Sequence, residues 1–365
     1  MASRGAATNN GPMQATVPEG RRAVPSRHAG VWRAVLLSLL AVLLALPGAV
    51  LTAVRIGPWE LGTPWVQLLS GYPLTVPLTL ASVLAAVLVG RRRRVRLVVS
   101  AGMVLVLAVQ LAMLAPRLVP MLAERGAADL AASVMEGPGR LLTVMSLNVG
   151  SSDLDAAALL DAVRANHVDI LALPELGPVT LERLENAGIS GLLPYRVTDV
   201  DSANVGNGIF SAFPLTTPGR VPGSQFFQSR AVATVPGIPS GIHLTSVHVN
   251  SPRPGHVPRW QNDLNELAAL QNGAQANSPT VLLGDFNSSL DHRGLRNLVS
   301  TGLSDAASAT GRGLWPTWPA NSPAPPFVQI DHVLVSRELT VVSFTTVPVP
   351  GSDHLAVLSE LSYRG

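Results

Sequence analysis

The chain has no cysteine among its 365 residues, which excludes disulfides and thiolate metal sites. Charge is also scarce. Charged residues make up 13% against 47% hydrophobic, a balance too apolar for a wholly soluble chain and one that points to membrane-spanning runs. Aromatics amount to 4%, and beyond residue 140 they gather mainly at Phe226, Phe227, Trp260, the stretch LWPTWP and Phe327. The chain therefore lacks the basic, aromatic-rich surface that grips a nucleic-acid backbone. No internal repeat is apparent, and the length exceeds one ordinary domain of roughly 100 to 200 residues.

Three uncharged runs stand near the front, at residues 34–54, 66–90 and 97–115. Each approaches or exceeds the ~20 residues needed to span hydrocarbon, so three transmembrane helices are expected, with Pro73 and Pro77 kinking the second. The first run is longer than the core of a cleaved secretory signal and two more follow it, which favours anchorage. Arg21, Arg22, Arg27 and Arg33 precede the first run and RRRRVR joins the second to the third, whereas the loop between the first two holds only Arg55 and Glu60. By the positive-inside bias both basic stretches face the cytoplasm and everything after residue 115 lies outside it.

The organisation expected is a disordered cytoplasmic tail (1–30), a membrane region (31–115), a linker with a short amphipathic helix (116–139) and a separate domain (140–365). Residues 1–139 hold 13 Arg against 5 acids, net +8, while residues 140–365 hold 13 Arg against 18 acids, net −5. The basic balance thus belongs to the membrane part and reads as topology-setting arginine, not as nucleic-acid binding.

From Leu141 the texture becomes short apolar runs ended by polar residues. LLTVMSLNVG reads as a buried strand ending at Asn148, LDAAALLDAVRANH as an amphipathic helix whose start is marked by Ser152 and Asp153, and VDILALPEL as a strand ending at Glu175. Further strands are expected at GNGIFSAF, SRAVATV, GIHLTSVHVN, TVLLGDFN, QIDHVLVS and HLAVLSEL, with a helix at 258–272. Strands side by side bring such polar ends to one sheet edge, which is an active-site layout. In GDFN, Gly284 lets backbone pass closely, and Asp285 and Asn287, two apart, point the same way. Taken alone, an Asp and an Asn after a strand more often build a turn through local hydrogen bonds.

The ordered series SLNVG, LALPEL, NGIFSAFPL, VHVNSP, LLGDFNS, IDHVLVS and GSDHLAV resembles the endonuclease/exonuclease/phosphatase superfamily, the group of deoxyribonuclease I, abasic-site endonucleases, sphingomyelinases and inositol-polyphosphate phosphatases. The resemblance covers residues 141–363 and implies an α/β fold, a four-layer α/β sandwich of two mixed sheets face to face with helices outside. Two positions depart from the pattern: Pro174 stands where glutamine is usual, and Gly150 where some family nucleases keep an acid.

Phosphoester hydrolysis needs a hard cation, donors to the phosphoryl oxygens and a means of activating water. Oxygen ligands suit Mg²⁺ or Mn²⁺. Glu175 is the best metal ligand, Asn148 can add an amide carbonyl, and the family pattern adds Asp353. The resemblance makes Asp285 the residue that orients or deprotonates water and Asn287 a donor to phosphoryl oxygens. It also pairs His354 with Asp331 and makes His248 a phosphate contact and general acid. Asn250 and Arg230 are weaker candidates for holding substrate oxygens. His167, His243, His256, His292 and His332 are read as surface or satisfied core histidines. The general base stays open between Asp285 and His354.

The function expected is a membrane-anchored, divalent-metal-dependent hydrolase of phosphoester or pyrophosphate bonds, with an extracellular nuclease and a non-catalytic binding module as alternatives. Three amino-terminal spans before an external domain of this superfamily also resemble the teicoplanin-resistance membrane proteins. That likeness implies a lipid-linked phosphate of the cell-wall cycle as substrate and the bilayer as partner.

Overall fold

The computed structural model describes residues 27–59, 61–88, 93–119, 141–150, 153–203, 205–273 and 278–363. The amino-terminal region is helical. Helix α1 (Arg27–Ile56) begins inside the expected tail, whose residues 1–26 lie outside the described ones. Helix α4 (Arg93–Leu118) runs three residues into the expected linker, and the amphipathic helix expected there falls on residues 120–139, again outside the description.

Two helical stretches, Trp32–Ile56 and Ser100–Leu118, are long and apolar enough to cross a membrane. The middle run differs from the single span expected. It divides into α2 (Trp65–Ser70), a 3-10 turn (Tyr72–Leu74) and α3 (Thr75–Leu88), leaving a shorter apolar stretch, Tyr72–Val87. Gly71 and Pro73 explain the break, because glycine is a poor helix former and proline supplies no amide hydrogen. Pro77 causes none, since it sits in the first turn of α3, where a helix has no amide bond to lose.

These helices meet through small side chains, Ala41 and Ala45 of α1 against Ala85 and Ala86 of α3 with Met103 of α4. Gly48 lies so close to α3 that a β-carbon there would stand 2.3 Å from Thr79 Oγ1, and Gln110 donates to Thr75 Oγ1 at 2.8 Å. Close small-residue packing with a few interhelical hydrogen bonds is what holds helices together where the surroundings are as apolar as the side chains. The outward faces are bare leucine: Leu36, Leu43 and Leu105 are 63%, 64% and 65% exposed.

The rest of the chain is a sandwich of two six-stranded mixed sheets. One has the order β11 (Leu339–Val347), β12 (Ala356–Tyr363), β1 (Leu141–Ser146), β2 (Ile170–Ala172), β4 (Asn207–Ser211), β3 (Tyr195–Asp199), and the other β5 (Leu215–Arg220), β6 (Ser229–Ala233), β7 (Ile242–His248), β8 (Thr280–Asp285), β10 (Asp331–Ser336), β9 (Leu303–Asp305). In the first, β1 (Leu141–Ser146) pairs in parallel with β2 (Ile170–Ala172) across the helix Ala156–Ala165, the strand-helix-strand opening expected. That helix starts later than expected, capped by Asp155, whose carboxylate accepts from the Ala158 amide at 3.0 Å. In the second, β7 (Ile242–His248) runs parallel to β8 (Thr280–Asp285) across the helix Val257–Asn272, and β10 (Asp331–Ser336) lies antiparallel to β8. Val144, Ile170, Leu244, Leu283 and Val333 interlock between the sheets. Each outer face has its own helix-covered core.

The expected strands at β4 (Asn207–Ser211), β6 (Ser229–Ala233) and β12 (Ala356–Tyr363) are also present. Four strands were not anticipated: β3 (Tyr195–Asp199), β5 (Leu215–Arg220), β9 (Leu303–Asp305) and β11 (Leu339–Val347). They are the four edges of the two sheets. An edge strand has one neighbour and an open side, so it need not carry a continuous apolar run.

The helical region does not stand apart on a tether. Val66 of α2 packs in the same buried cluster as Val257, Trp260 and Leu264 of the second sheet's helix layer.

Candidate active site

Parallel pairing of β1 with β2 and of β7 with β8 aligns their carboxyl ends, and the site forms where those ends face each other across the sandwich. Asn148 follows β1, Glu175 follows β2, His248 ends β7 and Asp285 ends β8. His248 and Asp285 are register partners, as are Asp285 and Asp331. Close approach of β8 to β7 depends on Gly284: its φ is +150° and a β-carbon would lie 2.0 Å from the Val247 carbonyl oxygen.

Two side chains sit on left-handed backbone. Glu175 and Asn287 have φ of +60° and +45°, a region that asparagine tolerates but that a glutamate rarely occupies unless surrounding structure compels it. Glu175 is placed by Asn148, whose amide nitrogen donates to Glu175 Oε1 at 3.0 Å and to Asp285 Oδ2 at 3.1 Å. The side-chain oxygen of Asn148 accepts from the Gly150 amide at 3.0 Å. His248 Nε2 lies 3.3 Å from Glu175 Oε1, its ring stacked obliquely on Phe226 with centroids 4.6 Å apart, and its Nδ1 is buried without a partner. Asn287 is folded back: its backbone amide donates to Asp285 Oδ1 at 2.8 Å and its side-chain nitrogen to the Val249 carbonyl at 2.9 Å. His354 meets Asp331 Oδ2 through Nδ1 at 2.9 Å and turns Nε2 toward Asp285 Oδ2, 3.9 Å away.

Three expected residues stand outside the two groups of clustered acids and histidines. Asp353 reaches the wall of the cleft, where its Oδ2 accepts from Trp318 Nε1 at 3.3 Å, and it is in neither group of clustered acids and histidines. Asn250 spends both its nitrogens on Asp263 Oδ2, at 3.0 and 2.7 Å. Arg230 is remote, lining a separate cavity of about 430 Å³ with His243, Thr245 and Thr280 near the opposite ends of the same strands, because its position on β6 pairs with Thr245 and not with the β7 end. Of the histidines read as ordinary, His332 is a satisfied core residue, bonded to Asp305 at 3.0 Å and to the Ser288 carbonyl at 2.9 Å. Sequence reasoning missed Ser352, which donates to the Asn148 carbonyl at 2.8 Å and accepts from the His354 amide at 3.0 Å, joining the two halves of the site. Ser352 is the serine of the motif GSDHLAV, whose reading rested on its aspartate and histidine.

Electrostatics separate the roles. Burial disfavours charge on His354, but the attraction and hydrogen bond of Asp331, with Asp285 nearby, overcome it and lift the imidazole to about 10. Burial pushes Asp285 up to about 6 against the pull of His354. Burial also opposes the Glu175 anion, yet hydrogen bonds from His248 and Asn148 hold it below the usual carboxylate range. At neutral pH the site therefore contains an imidazolium beside ionised carboxylates.

The raised histidine fixes a pH dependence of stability. Its stabilising share is complete below the unfolded value of about 6.5 and disappears as pH rises through about 10. With all 26 basic residues arginine, few other side chains titrate in that window. The thermal midpoint of chelator-treated protein should fall between pH 7 and 10, and His354→Gln should flatten that slope. An unchanged slope in the variant would contradict the pairing.

The donors fit a hard divalent cation. Ligand atoms of Glu175, His248 and Asp285 lie within 4.8 Å of one another and are oxygen or imidazole nitrogen; those of Asp285, Asp331 and His354 are equally close, but a protonated His354 has no lone pair to offer a cation. Gly150 makes the room: a β-carbon there would stand 1.8 Å from Glu175 Oε2, so the departure from an acid at this position keeps the Glu175 carboxylate in place.

A model of the Endonuclease/Exonuclease/phosphatase family matches residues 145–354. No curated protein matches the chain in sequence. Similar solved structures include an AP endonuclease from Archaeoglobus fulgidus (16% identity over 60% of this chain and 98% of that one, TM-score 0.50) and truncated TDP2 from Caenorhabditis elegans (19%, 60% and 97%, 0.49). An endonuclease/exonuclease/phosphatase from Beutenbergia cavernae is also similar (20%, 62% and 72%, 0.47). At these identities the likeness speaks to the fold alone. The family match spans more than half the chain and every strand end that carries a clustered side chain, so the chain belongs to the endonuclease/exonuclease/phosphatase family of metal-dependent phosphoester hydrolases.

Proposed function

We propose that the chain is a multi-pass membrane protein whose extracytoplasmic domain hydrolyses a phosphoester or pyrophosphate bond of a lipid-linked substrate with Mg²⁺ or Mn²⁺. One observation carries this reading. The cleft of about 810 Å³ that holds Glu175, His248, Asp285 and His354 is lined on one side by Gln67 and Ser70 of the helical region. Gln67 also donates to the Pro252 carbonyl in the loop after β7. If α1 and α4 cross the bilayer, the mouth of the cleft lies at its surface, where headgroups are concentrated. The opposite wall, Trp318, Phe327 and Val328, is apolar and suits the portion of an amphiphile next to its phosphate. Arg253 is the one arginine among the lining residues, too little cationic surface for a nucleic-acid backbone.

Glu175, with Asn148 and Asp353 as the further expected ligands, would hold the cation, which when bound stabilises charge on the phosphoryl oxygens. His354, cationic and oriented by Asp331, donates from Nε2 to a phosphoryl oxygen. A group already protonated at neutral pH cannot accept a proton, so Asp285 is the acceptor for the attacking water. His248 delivers a proton to the leaving oxygen, and Asn287 holds Asp285 through its amide.

Two measurements test the proposal. Protease added to intact spheroplasts should degrade residues 140–365 and spare the RRRRVR loop, and a protected domain would invert the topology. Full-length protein in liposomes should hydrolyse a lipid pyrophosphate at least about tenfold faster than it cuts DNA, because tethering raises the effective concentration of the membrane-borne substrate. Faster DNA cleavage would favour the nuclease reading instead.

A further inference from the structure

The segment after β8 meets the active site at one end and the amino-terminal helices at the other. Asp285 and Asn287 face the cleft, and six residues past Asp285 the Asp291 side chain is fully buried against the helices. Asp291 Oδ1 accepts from Arg55 Nε at 2.6 Å and from Arg117 Nη2 at 2.7 Å, and Oδ2 accepts from Arg117 Nη1 at 2.8 Å. Arg55 lies in the last turn of α1 and Arg117 in the last turn of α4, so one carboxylate ties two helix ends to the catalytic segment. The next residue adds a second tie. His292 Nδ1 accepts from the Ser289 amide at 2.9 Å, which leaves Nε2 to donate to the Val66 carbonyl of α2 at 2.7 Å.

The domain also reaches back. Arg296 donates to the Arg55 carbonyl at 3.1 Å and Arg293 to the Pro58 carbonyl at 2.9 Å, satisfying oxygens at and beyond the end of α1. Between the two ends of the segment, Trp260 Nε1 bonds the Asn287 carbonyl at 3.1 Å and Ser288 Oγ at 2.9 Å. Asn287 adopts a left-handed backbone (φ +45°), a conformation asparagine tolerates, and the Trp260 bond to its carbonyl helps to fix it there.

A simple tether would require none of these contacts. In the topology proposed above, Arg55 and Arg117 are cations on the side of the helices where the positive-inside bias disfavours them, and pairing with Asp291 offsets that. We propose that Asp291 and His292 are positioning residues through which the helical region holds Asp285 and Asn287 in catalytic geometry. The bundle is then part of the catalytic apparatus and not only an anchor. This rests on the phosphoester-hydrolase reading of the site and is independent of which phosphoester is the substrate.

The test uses full-length protein in detergent micelles with Mg²⁺ or Mn²⁺ and the soluble diester bis(p-nitrophenyl) phosphate. Asp291→Asn should lower kcat at least about tenfold with KM within about twofold, and Asp291→Glu should recover part of the loss. Arg55→Gln, at the end of α1 outside the sandwich and leaving Arg117 to pair with Asp291, should lower kcat about threefold, which keeps the proposal testable should Asp291→Asn fail to fold. Because both changes act through one contact, the double variant should be no slower than Asp291→Asn alone. Wild-type kcat in Arg55→Gln, or losses that multiply in the double variant, would overturn the proposal while leaving the hydrolase reading intact. An unmodified chain inactive on every phosphoester offered would sink both.

Discussion

Replacing Asp285 or His354 by Ala is expected to reduce kcat by about 10²- to 10⁴-fold, the range for losing a positioned proton-transfer group. Asp285 stands between His248 and Asp331 in the register of β7, β8 and β10, while Asp331 is already bonded to His354 and Glu175 to Asn148. His354 is buried but lies at the cleft and not between the sheets, so its loss should leave the cooperative unfolding of the sandwich in place. Because the imidazole is lifted to about 10, the wild type should keep it charged through the neutral range, and the alkaline limb of kcat/KM should be absent in His354→Gln. Measured rates within about threefold of wild type for either alanine variant would remove that residue from the chemistry. A His354 variant that keeps the alkaline limb would show that some other group sets it.

Chelation is expected to abolish hydrolysis, with Mg²⁺ or Mn²⁺ restoring it, and Glu175→Gln should raise the metal concentration for half-maximal activity by about 10- to 100-fold or more. The structure adds a less direct route to the same loss. Gly150→Ala places a methyl group where Glu175 Oε2 now stands, 1.8 Å from an ideal β-carbon, and Glu175 is already on strained backbone with φ of +60°. The carboxylate must therefore move, and apparent metal affinity should fall in Gly150→Ala even though no ligand has been changed. Isothermal titration with Mn²⁺ reads this without relying on turnover. Unchanged affinity in both variants would show that the ion, wherever it binds, is not held by Glu175.

Several readings depended on local signals and were legible for that reason. The strand ends LNVG, LPEL, VHVN and GDFN each join a buried apolar run to polar residues, and parallel pairing aligns such ends without needing any particular distant partner. The helix Val257–Asn272 carries its own amphipathic pattern and was read to within one residue. The middle apolar run was less legible: hydrophobic length suggests one span kinked at Pro73 and Pro77, whereas the helix breaks at Gly71 and Pro73.

The sequence by itself determined the family, the strand ends at which Asn148, Glu175, His248 and Asp285 stand, and the three apolar runs, because each is written in short-range order: periodicity, a breaker, a motif. Tertiary structure alone decided that Arg230 leaves the site for another cavity, that Asn148 turns its nitrogen and not its carbonyl to the carboxylates, and that the sheets end in β3, β5, β9 and β11. It also decided that the domain is clasped and not merely tethered, through Asp291 to Arg117 and Arg55, 174 and 236 residues away. Pairings at that separation leave no periodic trace in the chain. An aspartate four residues beyond Asn287 looks like any loop acid until folding removes it from water, and only then does its charge require the two arginines.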